Sequence, residues 1–359
     1  MGKKKILIID IGKEYGGAEI MIENLISAIN DEVDISLVVN DNGIFKKNVL
    51  SKYNINVLCI RNSLKKLLSN IIKIKKYVKE NNIDIINVHG IIAGLIGVSV
   101  KRTGKVKLIA TIHSDLKYDF NGIKKLIYYW IEKIVVNNCD EVITVSNNLN
   151  NKIFKRHHIK AKTIYNGIKC DNLELKAKKQ SEDKFIILFV GRLTKVKNVE
   201  LLLKGLKYLK NNNIKFECNI VGDGEEKEKL IEIAQNYKID NYVKFLGFRS
   251  DVNKFMKKSD VLIITSHMEG IPMVIIESFL NRLPVVASNV GGIPEMITNN
   301  YNGILFDKNN EVEFKNCLLS ISRISKEKMT YICENAYLEY EKKWCIEVFK
   351  DSYLKIFKY

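Results

Sequence analysis

The strongest constraint on this chain is an alternation that runs through it twice. Short segments rich in Ile, Leu and Val are separated by longer segments with a helical period. A strand that is apolar on both faces must be covered on both, so this pattern predicts parallel sheets sandwiched between helices. The first series places strands at 5–9, 35–39, 57–60, 85–88, 108–112 and 141–145, with helices such as 18–29 and 64–78 between them. The pattern restarts with strands at 184–190, 215–221, 243–245, 261–265 and 284–287, and helices at 199–209 and 225–237. The lysine-rich stretch 169–184 reads as the linker. The expected class is α/β, with two Rossmann-like doubly wound domains: 1–168, then 169–338. A last helical pattern around 337–357 has no following strand, so 339–359 is expected to pack back on the first domain.

Composition narrows the function classes. The chain has 359 residues, enough for two cores, with 46% apolar and 28% charged residues. Seven scattered cysteines form no Cys-x-x-Cys pair, which argues for a reducing compartment over a disulfide framework or a zinc site. The apolar run after the N-terminal lysines stops at Asp10, too short for a signal peptide, and no run is long enough to span a membrane. The expected location is the cytoplasm. The formal net charge is +17, and residues 1–170 carry 28 Lys and Arg against 15 Asp and Glu. A basic first half suggests an anionic partner, such as a membrane surface or a phosphorylated lipid; a plain Lys/Ile/Asn bias is the alternative. Within 64–78, Leu64, Leu67, Leu68, Ile71, Ile74 and Val78 form one helical face with lysines off it. That pattern fits an ordinary sheet-covering helix or one that touches anionic headgroups.

The segment 261–277 carries the most chemistry. A strand ends at Thr265, a polar loop follows, and Pro272 is expected at the first helical position. Helix N-termini expose free N–H groups and a positive dipole end, which suits a phosphate. Glu269 precedes the helix and Glu277 lies within it, each able to accept hydrogen bonds from hydroxyls. A phosphate between two hydroxyl-binding carboxylates describes a nucleotide-sugar. Two unrelated glutamates around a strand–helix turn would give the same spacing.

The stretch 269–278, EGIPMVIIES, resembles the signature of retaining glycosyltransferases of the GT-B fold, family 4. Six other motifs stand in that family's order: Gly16-Gly17-Ala18-Glu19, Tyr165-Asn166-Gly167-Ile168, the Gly191–Asn198 stretch GRLTKVKN, Gly222-Asp223-Gly224, Leu246-Gly247-Phe248, and Gly291-Gly292-Ile293-Pro294-Glu295. The resemblance covers nearly the whole chain. It implies two domains facing across a cleft, the first binding acceptor and the second the donor.

The resemblance also implies residue roles. Arg192 and Lys197 match the pair that neutralises the donor diphosphate, although alone they would pass as surface charges. Glu269 matches the residue on the donor sugar and Glu277 the one on the ribose. Gly16, Gly17, Gly270, Ile271, Met273 and Val274 fall on donor-binding segments, and Phe248 and Arg249 fall where the base is contacted. His113 matches a catalytic histidine near the reacting sugar, with Ser114 departing from the family's usual next residue. His89, at another strand end, is a candidate for the acceptor. His157, His158 and His267 read as ordinary.

No Asp-x-Asp occurs in the chain, so the cations and the helix N-terminus are expected to replace a metal. The implied partners are a nucleotide-diphosphate sugar, with UDP favoured, and a glycan or lipid-linked acceptor in surface polysaccharide assembly. No cofactor is implied, and the location would be peripheral on the inner face of the plasma membrane. Two alternatives are an epimerase or hydrolase of UDP-N-acetylglucosamine on the same fold, and a non-catalytic polyanion-binding protein. The second lacks any recognisable nucleic-acid module.

Overall fold

The computed structural model describes residues 2–12, 15–41, 44–102, 105–116, 122–170 and 184–358, so most of the expected linker lies outside the described residues. The chain divides into two compact units, Met1–Lys169 with Cys345–Tyr359, and Cys170–Trp344.

In the first unit the strands are β1 (Lys5–Asp10), β2 (Asp34–Asn40), β3 (Asn56–Ile60), β4 (Ile85–His89), β5 (Lys107–Ile112), β6 (Glu141–Thr144) and β7 (Lys162–Thr163). They form a parallel sheet in the order β3-β2-β1-β4-β5-β6-β7. The helices are α1 (Gly17–Ile29), α2 (Ile44–Lys52), α3 (Leu67–Glu80), α4 (Ile91–Lys101), α5 (Gly122–Asn138) and α6 (Asn147–His157). Strand period 2 divides the core into two layers. Ile6 and Ile8 of β1 pack under α1, whose Met21, Leu25 and Ile29 face them. Leu7 and Ile9 point the other way, into a layer with Ile74 of α3, Ile96 of α4 and Val135 of α5.

The helical face expected from 64–78 is corrected. A 3-10 turn at Leu64–Lys66 precedes α3. The inward stripe runs through Leu67, Asn70, Ile71, Ile74 and Val78. Leu68 lies one residue off that stripe and is 76% exposed. Asn70 tolerates burial because its side-chain amide donates to Arg61 O at 2.9 Å.

The second unit repeats the plan. Its strands are β8 (Phe185–Val190), β9 (Phe216–Val221), β10 (Val243–Phe245), β11 (Val261–Ile264), β12 (Val285–Ser288) and β13 (Ile304–Phe306), parallel in the order β10-β9-β8-β11-β12-β13. Its helices are α7 (Val199–Asn211), α8 (Lys227–Asn236), α9 (Val252–Met256), α10 (Met273–Leu280), α11 (Ile293–Met296), α12 (Glu311–Ser322) and α13 (Lys326–Glu339). Strands β7 and β13, two and three residues long, are additions to the strands expected from the sequence.

The last helical pattern is two helices. After α13 the chain makes a π-helical turn at Tyr340–Trp344, which buries both aromatics, and then forms α14 (Ile346–Lys358). Residues 339–344 stay with the second unit. Helix α14 belongs to the first, and its Ile346, Phe349, Tyr353 and Phe357 join the core layer beneath α1. Among the described residues, no helix is long and apolar enough to cross a membrane.

Strand order reverses between β1 and β4 in the first sheet and between β8 and β11 in the second. Doubly wound sheets open a crevice beyond the strand C-termini at such switch points.

Candidate functional site

The second unit's switch point brings several of the expected residues together. Beyond β8, Arg192 is exposed, and Lys197 closes a 3-10 turn at Lys195–Lys197. Beyond β11 comes the loop that carries Glu269. The two loops are stapled together: Thr265 Oγ1 donates to Lys197 O at 3.1 Å, and His267 N donates to Val196 O at 2.8 Å. Lys197 Nζ then lies 2.6 Å from Glu269 Oε1, and Ser266 Oγ donates to the same oxygen at 2.6 Å. A partly exposed cation and carboxylate are thus held in one place by loops fixed through their backbones.

The next loop pins Glu269 from its other side. Gly292 N donates to Gly270 O at 3.1 Å, and Ser288 Oγ donates to Ser266 O at 2.7 Å. Gly291 has φ +58°, and a Cβ there would sit 1.7 Å from Glu269 O. Only glycine lets the two loops lie this close. The Gly-Gly pair was visible in the sequence, but its task of backing Glu269 was not. Ser266, the second partner of Glu269, carried no sequence signal beyond lying in a polar loop.

Helix α10 begins at Met273, with Pro272 as its N-cap in extended backbone, φ −69° and ψ 118°. Pro272 therefore sits one position earlier than expected. The carbonyl of Pro272 accepts from Ile275 N, so the proline opens the helix instead of occupying its first turn. The N–H groups of Met273 and Val274 have no intrahelical acceptor by geometry and face outward from the helix start. Ile271 and Met273 are buried, while Gly270 and Val274 are half-buried. Glu277 is half-buried in α10, and burial pushes its carboxyl up to about 7. Among the described residues its carboxyl has no hydrogen-bond or ionic partner, while its backbone carbonyl accepts from Asn281 Nδ2 at 2.8 Å. Arg249 is already engaged by Asp251 at 2.9 and 3.0 Å, and Phe248 beside it is exposed.

In the first unit, the switch point brings Asp10 of β1 and His89 of β4 into register as neighbours. His113 follows β5, and its Nε2 lies 2.8 Å from His89 Nδ1, with the two rings stacked. Burial drives the His113 imidazole down to about 4. The His89 ring falls well below its usual value, through burial first and the neighbouring His113 second. Both rings are neutral at pH 7 and can share a hydrogen bond. Gly16 caps α1, and Glu19 Oε2 accepts from Gly16 N at 2.9 Å; Gly17 is exposed at the first helical position. Burial and then the charge of Glu19 raise Asp10 to about 7.

A cavity of about 350 Å³ opens at this switch point, walled by polar residues that include Asp10, His89, His113 and Glu132 and by apolar side chains. Glu132 is buried, and its Oε2 accepts from Arg156 Nη1 at 2.9 Å and lies 2.7 Å from His157 Nε2. His157 is therefore part of a buried ionic cluster. Asp10 and Glu132 were missed as site residues; the legible signal was an acid ending an apolar strand and an acid on the inner face of a helix. Among the described residues, no group of three or more His, Cys, Asp or Glu is arranged to hold a metal ion.

Known proteins share this plan. The family model for glycosyl transferases group 1 matches residues 171–339, and that for glycosyltransferase family 4 matches residues 15–172. An uncharacterised glycosyltransferase of Methanocaldococcus jannaschii is 29% identical over 357 residues, covering 96% of this chain and 95% of its own. An Escherichia coli UDP-Gal:α-D-GlcNAc-diphosphoundecaprenol α-1,3-galactosyltransferase is 26% identical over 319 residues, covering 82% and 81%. Among solved structures, Anabaena HepE in complex with UDP superposes with a TM-score of 0.85 at 22% identity over 99% of both chains.

Proposed function

The chain belongs to the family 4 glycosyltransferases of the GT-B fold, and we propose that it moves a hexosyl or N-acetylhexosaminyl group from a UDP-sugar to a glycan or lipid-linked acceptor in surface polysaccharide assembly. What carries the reading is Lys197 Nζ held 2.6 Å from Glu269 Oε1 at the second sheet's switch point, ahead of the α10 N-terminus. Glu269 takes donor-sugar hydroxyls, while Lys197, Arg192 and the free N–H groups of α10 take the diphosphate. Charge grows on the leaving diphosphate as its bond to the sugar breaks, so fixed cations there lower the barrier. Glu277 takes the ribose, and Phe248 and Arg249 lie by the base. Transfer proceeds with retention: the acceptor hydroxyl attacks the anomeric carbon from the face the diphosphate leaves, and its proton goes to a leaving phosphate oxygen. A neutral His113 can hydrogen-bond to a sugar hydroxyl without adding charge. These cations do the work a metal does in other transferases.

The UDP-bound Anabaena neighbour and the galactosyltransferase relative support the choice of nucleotide and acceptor class. Slow hydrolysis of UDP-glucose, UDP-galactose and UDP-N-acetylglucosamine, followed by proton NMR with chelator present, tests the reading. Release of the α-anomer first, from at least one donor, is expected. Release of the β-anomer first, or dependence on added Mg²⁺, sinks retention or metal independence respectively.

The acceptor's carrier is read from α5. Ile123, Leu126, Ile127 and Trp130 are exposed at i, i+3, i+4 and i+7, flanked by Lys124, Lys125 and Lys133. Leu68 and Ile72 of α3 are exposed on the same sheet face, among lysines. An apolar stripe bordered by cations fits an anionic membrane surface. Trp344, the second tryptophan, is fully buried, so Trp130 dominates any change in fluorescence on contact with vesicles. A blue shift with anionic but not neutral vesicles is expected; equal behaviour on both rejects the membrane role.

A further inference from the structure

We infer that Arg156 is a positioning residue: through Asp115 it ties the turn that carries His113 to α5 and α6, and so fixes where that imidazole stands. The consequence for sugar transfer rests on the role proposed for His113; the clamp itself does not.

The ladder of β5 on β6 ends at Ile112, and His113, Ser114 and Asp115 follow outside it. Asp115 is drawn to α6 by two cations four residues apart, which share one face of that helix. Arg156 Nη2 lies 2.7 Å from Asp115 Oδ1, and Lys152 Nζ lies 3.2 Å from Asp115 Oδ2. The other arm of the guanidinium, Nη1, donates to Glu132 Oε2 of α5 at 2.9 Å. His157 Nε2 lies 2.7 Å from the same oxygen. The guanidinium carbon stands 4.6 Å from the ring centroid of Tyr129, one turn before Glu132 on α5. One side chain thus joins a turn to a helix while resting on an aromatic face. Both acids are withdrawn from water, the Asp115 side chain at 8% exposure and that of Glu132 at 1%.

Buried carboxylates are held where they are paired, and here one planar fork pairs two of them. Lysine is a point charge on a flexible stem and would reach one acid only, so the bridge calls for arginine. Burial pushes the Glu132 carboxyl up, and His157 and Arg156 oppose that rise. Asp115 stands two residues after His113, a tether of about 7 Å at full stretch. At the other end of that tether, His113 Nε2 meets His89 Nδ1 at 2.8 Å with the rings stacked. Hydrogen bonds weaken steeply with misalignment. A turn released at Asp115 therefore loses the contact that orients His113. Asp115 acts on the imidazole by way of the two peptide units between them, and Arg156 acts through Asp115.

Asp115→Asn and Arg156→Lys test this on the full chain, with His113→Ala for comparison. Long-range proton–nitrogen NMR of the imidazoles reads the His89–His113 hydrogen bond directly, and the chain has only five histidines to assign. UDP-sugar hydrolysis reads turnover. Asp115→Asn leaves Arg156 on Glu132, so the fold should hold while the turn is released. Its imidazole signals should leave the wild-type pattern, and kcat should fall about tenfold or more, as misplacing a reacting group does. The KM for the UDP-sugar should not change. Arg156→Lys keeps the charge, should act in the same direction, and carries the same test if Asp115→Asn does not fold. Asp115→Asn placed on His113→Ala should cost nothing further, because it acts through that ring; losses that multiply overturn the proposal. A wild-type imidazole pattern in both Asp115→Asn and Arg156→Lys overturns it too. If His113→Ala turns over like the wild type, the role of His113 falls, and a shifted imidazole pattern in Asp115→Asn still upholds the clamp.

Discussion

The two units share a sheet plan and place their polar residues at the same topological position, yet the electrostatics there are opposite. In the second unit the switch point carries a cation and a carboxylate in contact, Lys197 and Glu269, partly open to solvent. In the first it carries a buried acid and two neutral histidines stacked on each other, around a cavity that, among the described residues, no lysine or arginine lines. An ion pair with its cation partly open to solvent can exchange partners with a charged ligand, the ligand's charge replacing the one released. A buried, neutral set cannot meet an anion without paying for desolvation, but it can satisfy hydroxyls. One fold thus offers a phosphate-compatible crevice and a hydroxyl-compatible one.

The comparison breaks most visibly at Glu269. Glu269→Ala should lower turnover by about 100-fold or more, the scale seen when a fixed group serving the transition state is removed. The melting temperature should fall by only a few degrees, because Glu269 sits in a loop at the crevice and an ion pair with a partly exposed cation is worth roughly 1 kcal/mol. Turnover near that of the wild type would remove Glu269 from the chemistry. Gly291→Ala approaches the same residue through the backbone. Its Cβ would collide with Glu269 O at a positive φ, so turnover should fall with a larger loss of stability than in Glu269→Ala. Equal turnover in Gly291→Ala and wild type would mean that the loop contact does not position Glu269.

A smaller effect is expected at Lys197. Lys197→Ala should weaken UDP binding by about 10- to 100-fold, the worth of a charged hydrogen bond. Calorimetry decides it, and unchanged affinity contradicts the role. Because Lys197 and Glu269 touch, the double variant should lose less than the two single losses summed; strict additivity would mean that the contact is incidental.

How much of this could be read in the sequence follows from the length and type of each signal. The two sheets were legible because strands such as β1 and β8 are apolar on both faces, and nothing but a covered parallel sheet accommodates them. The second unit's switch-point cluster was legible because its residues fall in two short motifs, 191–198 and 269–277. The first unit's cavity was not. Asp10, His89 and Glu132 are scattered over 122 positions and meet only through strand register and the packing of α5 on α4. The outward turn of Leu68 was illegible for a different reason. A single 3-10 turn before α3 resets the helical phase, and hydrophobic period alone does not show where a helix starts. The break at Tyr340–Trp344 escaped because two helices joined by a π-turn keep a nearly continuous apolar pattern.

The smallest effect is the most discriminating between the units. Burial raises the Glu277 carboxyl from 4.5 to about 7, so the native state binds a proton that the unfolded chain has released. Its contribution to stability is complete below pH 4.5 and lost as pH rises through about 7. Burial lowers His113 from 6.5 to about 4, so here the unfolded chain binds the extra proton. That contribution is complete above pH 6.5 and lost as pH falls toward 4. Asp10 acts in the same direction as Glu277 although it lies in the other unit, so the overall pH profile cannot separate the sites, and variants must. Glu277→Gln should raise the melting temperature at pH 8 and leave it unchanged at pH 4.5. His113→Gln should flatten the fall between pH 6.5 and 4. Each shift should be a few degrees, since 1 kcal/mol moves a unit of this size by about 2–4 °C. The same comparison reaches binding. Ribose hydroxyls donate to an ionised Glu277, so UDP affinity should rise through pH 7 in the wild type and be flatter in Glu277→Gln. A pH profile of affinity identical in the two would place the ribose elsewhere and leave Glu277 as a buried acid with only a structural cost.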